Sequence, residues 1–473
     1  MTWETVVGLE VHVQLRTRTK MFCGCRTTFG DPPNTNVCPT CLGLPGALPV
    51  PNAEAVRLAT RGALALGCEI HPTSVFARKN YFYPDLPKGY QISQFDRPLA
   101  TGGRVAFDSP DRGRIEVGIT RLHVEEDAGK LIHDRYPGKT AIDLNRAGTP
   151  LAEIVSEPDL RSPAEARAYL VTLRQILVYA GVSECSMEQG SLRVDANISL
   201  RRPGDTALGT KAEVKNLNSF ANVERALEAE RDRQAALLER GQRVAQVTLL
   251  FNAASGEVRE LRSKEESHDY RYFPDPDLPP LVLTPEWIAD QRDALPELPD
   301  ARRGRLELTY GLPAYDARVL TSEGALADYF EAVVGSGVEA KTAANWVMGD
   351  VMTAYNERGG FPVAAGRLAA LVALVRDNVV SHQAARRVFT ELVEHPNEEP
   401  RAVADRLGLV QVSDEGALTG WVEEVLAAHP AEVARYRGGE AKLMGFFVGQ
   451  VMKRSKGKAD PKGVQPVLQE KLG

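Results

Sequence analysis

No stretch of about 18 consecutive apolar residues occurs anywhere in the 473-residue chain, so nothing in it reads as a membrane-spanning helix and no membrane partner is expected. Positive charge is not in excess either. The formal net charge is −6 and the pI about 5.9, which argues against a uniformly basic nucleic-acid binder and confines any RNA contact to local patches. The nucleotide fingerprints are missing. There is no G-x-x-x-x-G-K-[ST] loop and no G-x-G-x-x-G turn, so ATP, if used, is not held by a P-loop or Rossmann fold. A G-x-S-x-G elbow is also missing, which leaves serine-triad hydrolysis unsupported. The start, MTWETVVGLE, carries no basic n-region, apolar h-region or Arg-rich transit segment, so a cytoplasmic location is the default expectation. Internal repeats and low-complexity tracts are lacking.

What is present is a chain too long for one core, with two to four domains expected from length. Residues 1 to about 293 are β-rich, with period-two segments and frequent Gly and Pro. Helices are predicted over 53–66, 163–180 and 219–240; the second has Ser162 as N-cap, Pro163 in the first turn and Gly181 just past its end. The proline-rich PDPDLPPLVLTPEW marks a linker. Beyond it, helical periodicity covers 324–336, 341–356, 364–379, 382–395 and 418–428. The expected class is α+β, with boundaries near 293 and, from the polar HPNEEPRAV stretch, near 400. From Lys442 to Gly473 seven basic residues (Lys442, Lys453, Arg454, Lys456, Lys458, Lys462, Lys471) stand against Asp460 and Glu470, a candidate RNA patch or simply a solvated tail.

Cysteines are few, six in all. Four cluster as Cys23-x-Cys25 and Cys38-x-x-Cys41, enough thiolates for a closed structural zinc site that would brace the Pro- and Gly-rich loop from Cys23 to Pro51. Four free thiols in a loop is the plainer alternative. Cys68 and Cys185 are isolated and are expected to be buried small hydrophobes.

Several strands carry their polar residues on one face. In VVGLEVHVQL, Glu10, His12 and Gln14 alternate with Leu9, Val11 and Val13. In ITRLHVEED, Arg121, His123 and Glu125 share a face; in SLRVDANISL, Arg193, Asp195, Asn197 and Ser199 do so. Lys211, Glu213 and Lys215 alternate in KAEVK, and Asp143 and Asn145 alternate with Ile142 and Leu144. If these strands neighbour one another in an antiparallel sheet, the polar faces converge on an acidic floor. Such a floor could hold Mg²⁺, and the interspersed Lys and Arg could hold phosphate oxygens, a composition suited to phosphoryl transfer. Amphipathic strands with salt bridges on a wet face remain the alternative. Two loops, Lys79–Gln94 and His268–Asp277, mix Tyr, Phe, Pro, Lys and Arg, a combination that either stacks on bases or pins the loops themselves.

The segments VGLEVHVQL, KNYFYPDLPKGYQISQFD, ITRLHVEEDAGK, DLNRAGTPLAEIVSEPD, SLRVDANISL, KAEVKNLNSF, SHDYRYFPDPDLPPL, NWVMGD and GQVMKRSKGKADP together resemble the B subunits of tRNA-dependent amidotransferases, from residue 5 to the end. The resemblance implies a β-rich antiparallel cradle with the kinase and transamidase site (1–293, including the zinc knuckle), an all-α helical domain (294–400) and a tRNA-binding tail (401–473). It implies ATP-dependent amidation of misacylated Glu-tRNA(Gln) or Asp-tRNA(Asn). The ammonia would come from a glutaminase A subunit, and a small C subunit would wrap the A–B junction. By motif, Glu10, His12, Glu125, Glu153, Asp195 and Glu213 correspond to the catalytic Mg²⁺ and ATP site, with Glu10, His12, Glu125 and Glu153 as magnesium ligands. Glu126, Lys215 and Asn216 are adjacent cofactor-binding candidates. Cys23, Cys25, Cys38 and Cys41 correspond to a zinc site that only some members have. An archaeal-type Glu-tRNA(Gln)-specific relative normally carries a large insertion, for which 473 residues leave no obvious room. A non-catalytic tRNA scaffold would have no use for an acidic floor.

Overall fold

The computed structural model describes residues 3–263, 269–411, 415–455 and 458–473. His268 of the second aromatic loop and Lys456 of the basic tail lie outside these residues. Two compact units are present, Met1–Pro299 and Asp300–Gly473.

The first unit is built on a sheet of ten strands. Its centre holds five of them: β1 (Glu4–Gln14), β2 (Gly113–Glu126), β3 (Pro150–Ser156), β4 (Leu192–Arg201) and β5 (Ala212–Leu217). They lie side by side in the order β5-β4-β1-β3-β2. All four pairings in this row are antiparallel. Beyond β5 the sheet continues in parallel with Val247–Asn252, so it is mixed rather than antiparallel throughout. The apolar residues of each strand form one buried face. Val7, Leu9, Val11 and Val13 on β1 are between 0 and 1% exposed, and Val194, Ala196 and Ile198 on β4 are similarly enclosed. Helices Pro163–Tyr179 and Phe220–Glu239 pack on this face, beside β1 and β4 respectively. Each fully buried Val or Leu contributes about 1.5–3 kcal/mol, so this apolar layer is what commits the polar residues to the other side.

The helix boundaries follow local chemistry. Ser162 accepts a hydrogen bond from the Glu165 N–H, Pro163 opens the first turn, and Gly181 follows the end with φ +69°. Cys68 and Cys185 are buried, as expected of small hydrophobes.

One expected neighbour is absent from the sheet. Lys139–Asp143 pairs only with Lys130–Tyr136, as a separate two-stranded ribbon. Asp143 and Asn145 therefore do not join the acidic floor. Asp143 accepts from the backbone N–H of Asn34 and Asn145, and Asn145 accepts from that of Asn36, fastening the cysteine loop. Period-two alternation reports which face a residue takes but not which strand lies beside it.

Among the described residues the elements of the second unit are helices, with an isolated antiparallel bridge between Val380 and Val410. Helices from Pro299–Tyr310 to Pro400–Arg406 surround one core that includes Leu306, Phe330, Trp346, Leu368 and Leu392. A π turn at Val347–Val351 interrupts the helical run within the NWVMGD segment. Four further helices, from Glu415–Ala428 to Pro461–Leu472, enclose a separate core of Val422, Phe447, Val451, Val464 and Leu468.

Candidate active site

Strand register brings the charged residues together in rows. Across β4, β1, β3 and β2, Arg193, His12, Glu153 and His123 are successive cross-strand partners. One row along, Asp195 faces Glu10, and beyond that Glu213 on β5 faces Asn197 on β4. Glu125 lies two residues from His123 on the same face of β2 and is fixed by a hydrogen bond from Ser93.

The tightest grouping is His12, Glu125 and Glu153, whose ligand atoms all lie within 4.8 Å of one another. The Glu153 Oε2 stands 3.3 Å from the Nε2 of both His12 and His123. Burial works against the His12 imidazolium, but its hydrogen bond to Glu153 and the charge of Glu125 outweigh that and its pKa is raised. His123 is likewise pushed up to about 9, against its burial, by Glu153 and Glu125. Burial would raise both carboxyls; instead the His123 and His12 contacts hold Glu153 well below the usual range and Glu125 below it. A divalent cation competes with those imidazolium protons for the same donors. An octahedral ion with bonds of about 2.1 Å needs donors about 3–4 Å apart, and the His12 Nε2 stands 3.7 Å from Glu125 and 3.3 Å from Glu153. The imidazole also makes Mn²⁺ an acceptable occupant.

Glu10 flanks this cluster. Its pKa is raised by burial and then by the nearby carboxylates of Glu153, Glu213 and Asp195, the electrostatic condition a bound cation relieves. Asn197 donates to Glu10 at 3.2 Å. Lys215 bridges Asp195 at 2.6 Å and Glu213 at 2.9 Å. A cavity of about 230 Å³ opens beside Glu10, with Asn197, Leu208 and Lys211 in its walls.

The remaining candidates point elsewhere. Glu126 is buried, paired with Lys88, and accepts the Ile92 N–H at 2.9 Å, so it anchors the strand Tyr90–Ser93 instead of facing the cluster. Asn216 is exposed at φ +65°, next to a register shift in the β4–β5 pairing, and its amide donates to the Phe251 carbonyl. Both lie one residue from a site residue, and in a strand one residue is the opposite face or a bulge.

Three groups that sequence reasoning leaves out of the site belong to it. His123 and Arg193 are legible as members of the polar faces of their strands; what linear sequence does not supply is their register against Glu153 and His12. Arg193 also binds the buried Asp127 at 2.9 Å. Lys79 comes from the aromatic loop; Glu125, foremost among several negative groups, raises its pKa against the effect of burial. The two aromatic loops pin one another. Lys79 stands over Tyr270 at 4.9 Å, and Phe95 stacks on Tyr272 at 4.2 Å.

The four cysteines form their own cluster, with Sγ–Sγ distances of 3.6 Å for Cys23–Cys41 and 3.8 Å for Cys38–Cys41. A tetrahedral zinc with bonds of about 2.3 Å requires about 3.8 Å between sulfurs, so the set fits. Cys41 is pushed down to about 4 as the hydrogen-bond acceptor of Cys23, with help from the Cys38 backbone and the buried Lys20. Cys25 goes up to about 11, mainly through burial. The Lys20 ammonium reaches Cys41 Sγ at 3.4 Å and the carbonyls of Asn36 at 2.7 Å and Leu144 at 3.2 Å, so a thiolate centre is part of what makes its burial tolerable.

In the C-terminal tail, Arg454 and Lys471 are tied to Glu424 and Glu423. Among the described residues no helix is long and apolar enough to cross a membrane.

A family model described as the GatB/GatE catalytic domain matches residues 5–289, and one described as the GatB domain matches residues 328–472. Proteins of Geobacter sulfurreducens and Moorella thermoacetica, each named as the B subunit of aspartyl/glutamyl-tRNA(Asn/Gln) amidotransferase, are both 53% identical over the full length of both chains. One of the same name from Alkalilimnicola ehrlichii is 52% identical, again end to end. With more than half of its length under one family model and full-length relatives at this identity, the chain belongs to the GatB family of amidotransferase B subunits.

Proposed function

We propose that this chain is the kinase and transamidase subunit of a glutamine-dependent aminoacyl-tRNA amidotransferase. Its substrates are Glu-tRNA(Gln), Asp-tRNA(Asn) or both, and its partners are a glutaminase A subunit and a small C subunit. The observation that carries the reading is the convergence of Glu10, His12, Glu125, Glu153, Asp195 and Glu213 on one sheet face, interleaved with Arg193 and Lys215. Such a face places cations against phosphate oxygens and carboxylates around a divalent ion. The end-to-end match to amidotransferase B subunits supports the same reading.

The chemistry explains why ATP is needed. A carboxylate does not accept ammonia, because an oxide would have to leave. In the first step an oxygen of the substrate's side-chain carboxylate attacks the γ-phosphorus of ATP and ADP departs. In the second, ammonia attacks the carbonyl carbon and phosphate departs. Mg²⁺, held by His12, Glu125 and Glu153 with Glu10 adjacent, supplies charge neutralisation at the transferring phosphoryl group when bound. Lys215, held between Asp195 and Glu213, and Lys79, whose ammonium the charge of Glu125 favours, are the cations available to phosphate oxygens. His123 holds Glu153 in place. Zinc at Cys23, Cys25, Cys38 and Cys41 is structural, because four thiolates leave no open position. Residues 1–293 carry the chemistry, 294–400 form a helical connector, and 401–473 grip tRNA in the cytoplasm.

The test is amidation by the reconstituted complex with glutamine, ATP and misacylated tRNA, with Glu10→Ala and Asp195→Ala alongside. Gln-tRNA or Asn-tRNA from wild type, and tRNA binding without ATP cleavage from the variants, is the expected result. Fully active variants would remove these carboxylates from the site.

A further inference from the structure

At the C-terminal end of β1 the polar face of the sheet runs into a cavity of about 630 Å³. Gln14, on the same face as His12 and about 7 Å further along the strand, lines it. Three arginines line it as well, Arg16, Arg18 and Arg26, against a single carboxylate, Glu184. All three arginines are exposed, and none makes an ion pair among the described residues. Some other arginines of the same unit are tied to carboxylates, among them Arg193 to Asp127, Arg78 to Asp275 and Arg112 to Glu165. Three unpaired cations around one cavity, in a chain of net charge −6, form a local anion site.

The wall that carries Arg18 and Arg26 is a short hairpin. The Thr27 N–H donates to the Arg18 carbonyl, the Lys20 N–H donates to the Cys25 carbonyl, and Thr19 bridges Arg26. Cys23 and Cys25 sit in its turn, so the cysteine cluster holds the arginines in place. At the rim Phe29 is 73% exposed, a bare ring among Thr and Arg side chains. Guanidinium forks beside an exposed aromatic ring match a phosphate-bearing single strand with an unstacked base.

We propose that this cavity seats the single-stranded 3′ end of the RNA substrate, with Arg16, Arg18 and Arg26 on its phosphates and Phe29 against a base. The terminal aminoacyl group then lies along β1 towards His12. This rests on the substrate reading proposed above.

The experiment uses the assembled amidotransferase with Arg16, Arg18 and Arg26 all changed to Gln, and a second variant with all three changed to Lys. The dissociation constant of misacylated tRNA is measured across a potassium chloride series, together with kcat and KM. The Gln variant is expected to raise Kd and KM about tenfold or more and to flatten the log Kd against log salt slope by about 0.7 for each phosphate no longer neutralised, with kcat at saturation within about twofold. The Lys variant recovers most of the slope, and tRNA trimmed of its 3′-terminal nucleotides binds wild type and the Gln variant alike. An unchanged slope overturns the proposal. So does a Gln variant that keeps its tRNA affinity but fails to assemble with the other subunits, which would make the occupant an acidic protein segment. If wild type binds tRNA with this salt dependence yet amidates none, the function reading fails and the cavity assignment stands.

Discussion

His12 and Glu153 face each other across the β1–β3 pair, with Nε2 and Oε2 3.3 Å apart, although 140 residues separate them in the chain. The same Glu153 oxygen lies equally close to His123, so one buried carboxylate serves two imidazoles. Removing it disturbs both and takes a donor from the candidate ion site.

Glu153→Gln is therefore expected to lower the amidation rate about a hundredfold or more, with tRNA affinity nearly unchanged. Initial rates of Gln-tRNA or Asn-tRNA formation, beside filter binding of tRNA, measure both. A loss of tRNA affinity with normal turnover would place Glu153 outside the chemistry.

Lys215 lies between Asp195 and Glu213, and despite the opposing effect of burial it keeps the Glu213 carboxyl below its usual range. Lys215→Met removes that field, so the Glu213 pKa rises. The acid limb of the kcat profile should move to higher pH. A pH–rate profile that loses height without shifting would mean that Lys215 acts on substrate alone.

Metal content tests the cysteine cluster. Wild type purified without chelator should hold about one zinc per chain, and Cys41→Ser should hold almost none. Limited proteolysis should then open the loop between Cys23 and Pro51, because Lys20 loses its thiolate partner there. Full zinc occupancy in the variant would remove Cys41 from the ligand set.

Glu165 gives a stability prediction with a definite sign. Its carboxylate is buried and receives Arg112 Nε at 2.6 Å, the Arg161 N–H at 2.7 Å and the Ser109 hydroxyl at 2.8 Å. Burial alone would raise its pKa, but Arg112 and these donors bring it below the usual carboxyl range. A depressed folded-state pKa means that its contribution is complete above the unfolded carboxyl value and is lost as pH falls through the folded one. Glu165→Ala should cost about 3 kcal/mol near neutral pH, and Glu165→Gln should flatten the decline in stability in acid. Urea denaturation followed at several pH values measures both.

Much of the fold is legible in the residues themselves. The alternation of Leu9, Val11 and Val13 with Glu10, His12 and Gln14 decides which face is apolar, because a strand has period two. Ser162, Pro163 and Gly181 decide where a helix starts and stops, because caps act within a turn. The spacing of Cys23, Cys25, Cys38 and Cys41 decides that four thiols can meet, because two of the pairs are nearly adjacent. Register and neighbourhood are different, since they arise from pairings between residues far apart in the chain. Only the tertiary structure placed His123 and Arg193 in the row with His12 and Glu153, and only it moved Asp143 and Asn145 off the floor into a separate ribbon. It also turned Glu126 towards Lys88 and Asn216 into a bulge, one residue out of phase with the site. A face is a local property of alternating side chains, whereas a site is a property of which faces the hydrophobic layer beneath them forces side by side.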